Sequence, residues 1–480
     1  MLKVLFVLKE VGLTEPLGVM YLSSALKESG HKTFAIQFEK ERNPFKKIAI
    51  LKPDIVAYSI TTGFHRYYLA LNKEIKQRFP NIITLFGGPH PTFFPEIIDE
   101  PYVDAICIGE GERASVDFAN TLENGKTPKD IPNIWVKENN RVFRNSQRPL
   151  VSDIDKLPLP DRDVIYDSDR YLAEYPIKHF INLRGCPYNC TYCFNHAYRE
   201  LYAGSGGYPV RYHSVDRVVE EVSDVKHKYG AGLVRFLSDV FITKKSWLKE
   251  FSEKFPKETG LPFSCNIRAD LIDDETAYLL RKAGCVSVLM GIESSNDRMR
   301  MEVLGRAMSR ETISNAVMLL KKNSIAVYSQ NIIGLPGETF KMALDTLRFN
   351  SQLKVEFAWA SIFTPYPRTK LGEYAVKLGY FNGDYDDVNF SYHTRSCLHF
   401  NDKGDKKRIE SLHKLFSFSA RFRGFQKQLD VLCDVPQNPL YWLIYNLWYG
   451  YALRRYIFPV KFGFNRFMKS IFRLFRKDEG

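Results

Sequence analysis

The stretch INLRGCPYNCTYCFN, residues 181–195, is the most informative part of the chain. It places Cys186, Cys190 and Cys193 in a C-x3-C-x2-C pattern, so that three thiolates can bind one small metal centre. A structural zinc or a cysteine-saturated 4Fe–4S cluster takes four protein ligands, whereas three leave one metal position open for chemistry. A zinc site with a distant fourth ligand, such as His196, is the alternative.

The surroundings of this stretch indicate a barrel. Residues 176–385 alternate between apolar strands and helices, which predicts an α/β barrel or partial (β/α)6 barrel with its catalytic groups at the strand ends. The expected strands are KHFINLRG, LVRFLSDVFI, PFSCNIRAD, VSVLMGIES, AVYSQNIIGLPGE and FAWASIFTPYP.

Residues 1–120 show a second strand and helix alternation, beginning with the apolar run KVLFVL. This pattern predicts a doubly wound parallel sheet of the Rossmann or flavodoxin-like type. Ligands of such sheets bind at the carboxyl ends of the strands, which here read SITTG, FGGPHP and CIGEGE. These small, Gly-rich ends let a large flat ligand approach the backbone. By itself the pattern also fits a nucleotide-binding or purely structural module.

The resulting domain scheme has four parts. Residues 1–135 form the first α/β domain, and the Pro- and Asp-rich residues 136–175 form a linker with some short strands. Residues 176–385 form the barrel. Residues 386–480 form a helical C-terminal region, with one amphipathic helix expected over Asp405–Cys433 and a basic aromatic tail.

Composition indicates a reducing compartment. The chain has 480 residues, a net charge of +13 and eight cysteines, five of them scattered. The apolar run at the N-terminus stops at Lys9, which indicates a buried strand and not a signal peptide. No segment reaches the roughly 18 apolar residues of a spanning helix. We expect a cytoplasmic protein.

The C-terminal tail predicts a contact with the inner face of the membrane. LYWLIYNLWYGYALRRYIF, residues 440–458, combines aromatic and apolar residues, and a basic segment follows it. A helix pair packed on the barrel with a solvated charged end is the alternative. Nucleic-acid binding is not expected, because bulky aliphatic residues interrupt the basic ones.

Taken together, these motifs resemble those of the radical S-adenosylmethionine enzymes, in the subgroup with an N-terminal cobalamin-binding domain. Tyr192 stands at that superfamily's aromatic position before the last cysteine. The resemblance implies a 4Fe–4S cluster on Cys186, Cys190 and Cys193, with S-adenosylmethionine on the fourth iron. Cleavage of S-adenosylmethionine by one electron would give a 5′-deoxyadenosyl radical, so a low-potential electron donor is needed.

Further residues carry the resemblance at the ends of the later strands. It implies that Arg268 in CNIRAD pairs with the carboxylate of S-adenosylmethionine, and that Glu293 in LMGIESSND contacts its amino group or ribose. Asp239 in RFLSDVFI ends the family's Asp-x-Phe strand. The adenine side would be lined by QNIIGLPGE, with Gln330, Gly334 and Gly337.

For the first domain the resemblance implies bound cobalamin. The Asp-x-His-x-x-Gly motif is absent, so we expect cobalamin with its tail base displaced and no histidine from that motif on cobalt. His65 and His90 are candidate cobalamin contacts, and a solvated loop histidine is the alternative for each of them. The implied cofactor contacts are Ser59, Thr61 and Thr62 at the ring or tail, Gly87, Gly88, Pro89, Gly109 and Gly111 along the groove of the nucleotide tail, and His90 and Glu112.

The resemblance implies a methyltransferase that acts on an unactivated carbon of a small-molecule or lipid-like substrate. Radical oxidation, cyclisation or ring rearrangement without methyl transfer, as in a porphyrin-type cyclase, is the nearest alternative. A non-catalytic iron–sulfur or cobalamin sensor is a more distant one, since it would need no S-adenosylmethionine pocket.

Overall fold

The computed structural model describes residues 1–139, 141–204, 210–385, 395–460 and Arg473. The chain divides into two compact units. One comprises Met1–Tyr175 and Tyr198–Tyr208, and the other comprises Pro176–Ala197 and Pro209–Gly480.

The first unit is built on a seven-stranded sheet in the order β2-β1-β3-β4-β5-β6-β7. The first five strands are parallel, and the last two are antiparallel. A parallel sheet carries helices on both faces, which explains the unbroken apolar run KVLFVL. The strands are β1 Lys3–Leu8, β2 Lys32–Gln37, β3 Ile55–Ser59, β4 Ile83–Gly87, β5 Ala105–Cys107, β6 Ile134–Glu138 and β7 Arg141–Phe143.

The helices of this unit are α1 Leu17–Glu28, α2 Pro44–Leu51, α3 His65–Arg78, α4 Pro89–Phe93, α5 Glu112–Glu123, α6 Asp163–Tyr166 and α7 Arg170–Ala173, with 3-10 turns at Pro95–Asp99 and Ile154–Lys156.

Residues 136–175, expected as a linker with short strands, belong to the first unit. They supply most of β6, all of β7, and the helices α6 and α7. Arg162 forms a buried ion pair of 2.8 Å with Glu15, which attaches this segment to the N-terminal part of the unit.

The second unit contains six parallel strands in the order β15-β14-β13-β12-β11-β8, as the barrel pattern predicted. Strand β13 is buried over almost its whole length, because its neighbours and the helices cover it. The strands are β8 Ile177–Phe180, β11 Leu233–Phe236, β12 Phe263–Ile267, β13 Cys285–Glu293, β14 Ala326–Ile333 and β15 Phe357–Ile362, with the separate antiparallel pair β9 Leu183–Arg184 and β10 Arg211–Tyr212.

Helices lie around this sheet, and most of them share one apolar core with it. They are α8 Asn195–Leu201, which crosses the division between the units, α9 Val215–Tyr229, α10 Lys245–Thr259, α11 Asp274–Lys282, α12 Arg310–Lys322, α13 Phe340–Leu353, α14 Lys370–Lys377, α15 Lys403–Arg421, α16 Leu429–Asp434 and α17 Pro439–Ala452. Shorter turns are the 3-10 segments Ala269–Leu271 and Arg423–Gln428 and the π-helical segments Met299–Val303 and Leu453–Ile457.

The prediction of a single helix over Asp405–Cys433 was wrong. The backbone leaves the helical region at Phe422, with φ −105° and ψ 86°, and a 3-10 turn separates α15 from α16. The guanidinium of Arg423 donates a 2.7 Å hydrogen bond to the carbonyl of Ser351, which holds the chain in the bend.

Backbone hydrogen bonds connect the segments that follow the carboxyl ends of β3 and β4. The Ile60 amide donates to the Gly87 carbonyl at 2.8 Å, and the His90 amide donates to the Ile60 carbonyl at 2.9 Å. Gly88 has φ +93°, and a Cβ there would lie 2.8 Å from the Ile60 nitrogen. This edge therefore requires glycine at position 88.

We expect Gly88→Ala to lower the free energy of unfolding by about 2–4 kcal/mol, because a strained φ is combined with a backbone clash. Gly30→Ala is the matched control, since Gly30 has φ +88° with nothing within 4 Å of the added Cβ. Chemical denaturation followed by circular dichroism measures both. Equal losses in the two variants would contradict the role of the Ile60 contact.

Candidate active site

The cysteine loop lies between β9 and α8. Cys190 is buried, and Cys186 and Cys193 are half-buried. Thr191 fixes the loop: its amide donates to the Leu304 carbonyl at 3.1 Å, and its hydroxyl donates to the Val303 carbonyl at 2.6 Å. The loop is thus held from a distant part of the chain.

The segment that holds the loop follows β13 and includes the π-helical turn Met299–Val303. Gly305 has φ +62°, and a Cβ there would lie 3.1 Å from the Asn189 carbonyl oxygen. The buried guanidinium of Arg300 donates at 2.6 Å to the Ser294 and Met308 carbonyls, which closes the segment on itself. Such π-helical turns are frequent at functional sites.

Two guanidinium groups face the thiol of Cys190. Nη1 of Arg268 lies 3.6 Å from the sulfur, and Nη1 of Arg306 lies 3.8 Å from it. Arg268 and Arg306 are only 7% and 6% exposed. Cations beside a sulfur are typical of metal-ligating cysteines, so this position suits a cluster ligand. The sequence reasoning identified Arg268 and missed Arg306.

Arg306 also joins Tyr192 to Glu293. The Tyr192 hydroxyl donates to the Glu293 carboxylate at 2.9 Å, and Nη1 of Arg306 donates to the Tyr192 oxygen at 3.0 Å. The Arg306 and Glu293 side chains are 3.5 Å apart. Burial raises the pKa of Glu293, and Arg306 opposes that change.

Glu293 stands in a strained backbone position at the end of β13. Its φ is +63°, and the register with β14 shifts between Gly291 and Glu293. A Cβ at position 291 would overlap the Glu293 side chain and lie 3.1 Å from Nη2 of Arg306. Strain of this kind persists where surrounding contacts enforce it, and it is concentrated at active sites and ligand sites.

Asn195 connects Cys193 with Asp239. Its side-chain nitrogen lies 3.3 Å from the Cys193 sulfur and donates to the exposed Asp239 carboxylate at 3.1 Å. Burial raises the pKa of the Cys193 thiol to about 11. The sequence reasoning did not single out Asn195.

The fork of Arg268, expected to meet a ligand carboxylate, already binds an acid of the chain. Its Nε and Nη2 donate to the Asp270 carboxylate at 3.0 and 2.9 Å. The guanidinium also stacks 3.5 Å from the centre of the Tyr188 ring. Arg268 would therefore offer a bound carboxylate its Nη1 unless Asp270 exchanged partners.

The GLPGE turn follows β14. Gly334 and Gly337 have φ +73° and +80°, and Gln330 pairs with Gly291 across the strands. Glu338, whose role the sequence reasoning left open, accepts hydrogen bonds from the Gly334 and Leu335 amides at 2.5 and 3.1 Å. Burial raises the pKa of Glu338 to about 8.

In the first unit, the expected cobalamin contacts at β3 and β4 lie together. The Thr62 hydroxyl and Nδ1 of His90 are 3.2 Å apart. The His90 ring stacks between His65 and Phe94, with ring centres 4.3 and 4.9 Å away. Burial lowers the pKa of His90 to about 3, and the neighbouring His65 adds a smaller effect in the same direction. The His90 ring is therefore neutral. Ser59 is half-buried, and Thr61 and Pro89 are exposed at the same edge.

The expected contacts after β5 are more enclosed. A Cβ at Gly109 would overlap the hydroxyl of Tyr202, and one at Gly111 would lie 3.0 Å from the Leu22 side chain. Glu112 is buried in the first turn of α5. Gly109 and Gly111 therefore face protein side chains here, whereas the β3 and β4 edge presents its glycine backbone and hydroxyl groups.

These residues fit the implied cofactors. Within the described ranges, no three His, Cys, Asp or Glu side chains converge to bind a single metal ion. A 4Fe–4S cluster does not require its ligands to converge on one ion, because each cysteine binds a different iron. Three cysteines, one of them beside two cations, suit a cluster with one open iron. Hydroxyls around the Gly88 backbone suit a ligand rich in amide groups.

Comparison with known proteins agrees with this geometry. Residues 182–349 match the model of the radical SAM superfamily, and residues 4–119 match that of the B12 binding domain. An uncharacterized methyltransferase of Pyrococcus horikoshii is 34% identical over 370 residues, which cover 75% of this chain and 78% of the relative.

Two further proteins share most of the chain. The anaerobic magnesium-protoporphyrin IX monomethyl ester cyclase of Rubrivivax gelatinosus is 27% identical over 399 residues, 78% of this chain and 68% of the cyclase. The structure of TsrM, a radical S-adenosylmethionine methyltransferase from Kitasatospora setae, has a TM-score of 0.66 at 16% identity, covering 79% of this chain and 76% of that chain. This likeness supports the fold. The family expected from the motifs is confirmed.

We expect Arg306→Gln to lower the free energy of unfolding of the cluster-free protein by about 3 kcal/mol, because it leaves Glu293 buried beside one fewer cation. The double variant Arg306→Gln/Glu293→Gln should recover part of that loss. Arg298→Gln, in an exposed ion pair with Glu302, is the control and should change little. Additive effects of the two substitutions would contradict the coupling.

The raised pKa of Glu338 predicts a dependence of stability on pH. Between the ordinary carboxyl value of 4.5 and about 8, the folded protein keeps a proton that the unfolded chain has lost. The free energy of unfolding therefore falls as the pH rises through this range. Glu338→Gln keeps an acceptor for the two amides and should remove this part of the fall, as denaturation at a series of pH values would measure. The exposed Glu258→Gln is the control, and an unchanged slope in Glu338→Gln would contradict the assignment.

Proposed function

The chain belongs to the radical SAM superfamily and carries a B12 binding domain, and on that premise we propose that it transfers a methyl group to a carbon atom of its substrate. The observation that carries the proposal is the junction of the cysteine loop with Arg268, Arg306 and Glu293, in one chain with a cobalamin-type sheet. When bound, the cluster supplies the electron that cleaves S-adenosylmethionine, and cobalamin carries the methyl group.

Each part of the second unit has a proposed task. Cys186, Cys190 and Cys193 hold the cluster, while Arg268 and Arg306 stabilise negative charge on the Cys190 sulfur. Glu293, which accepts a hydrogen bond from Tyr192, would also accept one from the amino group of the methionine moiety. Glu293 is 6% exposed, and such burial would limit the access of water to a reactive radical.

Other residues of this unit are proposed to contact S-adenosylmethionine as well. Gln330, Gly334 and Gly337 would line the adenine side, where Glu338 fixes the turn. Asp239, oriented by Asn195, would contribute an acceptor beside Cys193.

The first unit is proposed to bind cobalamin with its tail base displaced, at the edge formed by Ser59, Thr61, Thr62 and the Gly88 backbone. We propose that no motif histidine binds the cobalt and that His90 does not replace one, since Nδ1 of His90 is 3.2 Å from Thr62 and its ring is stacked on both faces. A histidine-bound cobalt spectrum that disappears in His90→Ala would contradict this.

The proposed substrate is a small or lipid-like molecule, and the electrons come from a low-potential donor in the cytoplasm. The cyclase relatives favour a second candidate, in which the same radical drives oxidation or ring closure without methyl transfer. The contacts around Glu293 argue against a sensor without chemistry, because a sensor needs no site for S-adenosylmethionine.

Anaerobic incubation with cobalamin, a low-potential reductant, a lipid extract and methyl-labelled S-adenosylmethionine should yield a labelled product heavier by one methylene unit, detected by mass spectrometry. Cys193→Ala should abolish 5′-deoxyadenosine formation, whereas Cys397→Ala, a half-buried cysteine outside the loop, should not. Formation of 5′-deoxyadenosine with a product that loses hydrogen and gains no label would favour the second candidate.

The C-terminal helix α17 supports a peripheral contact with the membrane. One of its faces packs on α15, where Nε1 of Trp448 donates to the Ser417 hydroxyl at 3.0 Å. The other face is apolar and exposed by 47–63%, with no charged residue in the helix. This apolar stripe consists of Leu440, Leu443, Leu447 and Tyr451.

Cations lie at one end of the stripe, where they would attract an anionic bilayer surface. Arg454 and Arg455 follow its C-terminal end. The rest of the basic tail, apart from Arg473, lies outside the described residues. None of the helices within the described ranges is long and apolar enough to cross a membrane.

We expect the protein to float with vesicles that contain phosphatidylglycerol. Leu443→Ser/Leu447→Ser should reduce the bound fraction severalfold, since two exposed leucines that the bilayer would bury are replaced by polar residues. Val431→Ser is the control, because Val431 is an exposed apolar residue of α16 outside the stripe. Equal flotation of the stripe variant and the wild type would refute the contact.

A further inference from the structure

A second concave site lies in the C-terminal part of the second unit, where α15 meets the start of α17. It is a cavity of about 580 Å³ outside the cysteine-loop site. Its lining includes Arg395, Lys406, Lys407, Lys414, Gln437 and Trp442. No step of the proposed methyl transfer uses these residues.

The cavity has an excess of positive charge. Four of its lining residues are cations, and Glu410 is the only acid among them. The Glu410 carboxylate accepts a 2.9 Å hydrogen bond from the Ser396 amide. Burial raises the pKa of Glu410, and the charges of Lys406 and Arg395 oppose that change. The lining therefore carries a formal excess of three positive charges, from four cations and one acid.

Two further features add to the positive electrostatic potential of the cavity. Lys414 is only 4% exposed, although it carries a charge, and its amine lies 4.8 Å from the Tyr445 ring. The 14-residue helix α17 begins at the cavity, where Asn438 accepts hydrogen bonds from the Leu440 and Tyr441 amides. The positive end of the helix dipole therefore also faces this region.

We propose that this cavity binds a phosphate group. A phosphate offers several anionic oxygens, which match the point charges of lysines and the guanidinium fork of Arg395. Trp442, 40% exposed in the lining, supplies a flat apolar surface beside the anion. The phosphate can belong to a lipid headgroup, with its acyl chains along the apolar stripe of α17, or to a soluble phosphorylated molecule. The inference does not depend on methyl transfer.

Two measurements on the full chain test the site. The first is a titration with inorganic phosphate, followed by tryptophan fluorescence, with Trp442→Phe to identify the reporting residue. The second is flotation with phosphatidylcholine vesicles, with and without phosphatidylglycerol. Lys406→Gln/Lys407→Gln should weaken binding by about twenty-fivefold, from about fivefold for each cation removed. Lys257→Gln/Lys341→Gln, on exposed lysines of α10 and α13, removes the same charge elsewhere and should change binding little.

Each outcome decides the proposal. Loss of both phosphate binding and the preference for phosphatidylglycerol in the Lys406/Lys407 variant supports a headgroup site. Loss of phosphate binding, with vesicle binding unchanged, supports a site for a soluble phosphate. No phosphate binding by the wild type, or equal binding by the wild type and the Lys406/Lys407 variant, overturns the proposal. Methyl incorporation is measured separately, so its failure is distinguishable from failure of this site.

Discussion

The second unit depends on the placement of two positive charges beside the Cys190 sulfur. A thiol in an apolar interior resists ionisation, and an arginine in the same interior requires compensating groups. Arg268 and Arg306 meet the sulfur, Asp270, Glu293 and Tyr192 in one hydrogen-bonded arrangement. Each of these buried polar groups is therefore satisfied by the others, which offsets part of the cost of burying them.

Much of the fold could be predicted, because buried parallel strands leave an unmistakable pattern. The runs KVLFVL and VSVLMGIES mark β1 and β13 directly. The break near Phe422 was missed because the apolar spacing of Asp405–Cys433 continues through it. The bend is stabilised by the contact between Arg423 and Ser351, which a local pattern does not contain.

The candidate site was predictable where a residue lies at a strand end or in the cysteine loop. Glu293 and Arg268 belong to that group. Arg306 lies 116 residues after Cys190 on an irregular segment, so only the folded chain brings the two together. Asn195 and Glu338 act through hydrogen bonds to a thiol and to backbone amides, and their residue types alone do not indicate those partners.

The tie between Thr191 and the Val303–Leu304 turn has a consequence for biogenesis. The two ends of this tie are 112 residues apart, so the loop acquires its shape only after β13 and the turn behind it have folded. Long-range contacts of this kind form late, because closing the intervening chain costs entropy before the contact offsets it. A nascent chain would therefore present three cysteines without the geometry for a cluster. Assembly machinery that delivers iron and sulfide would meet a competent acceptor only in the folded barrel, so folding of this unit is a condition for metal loading.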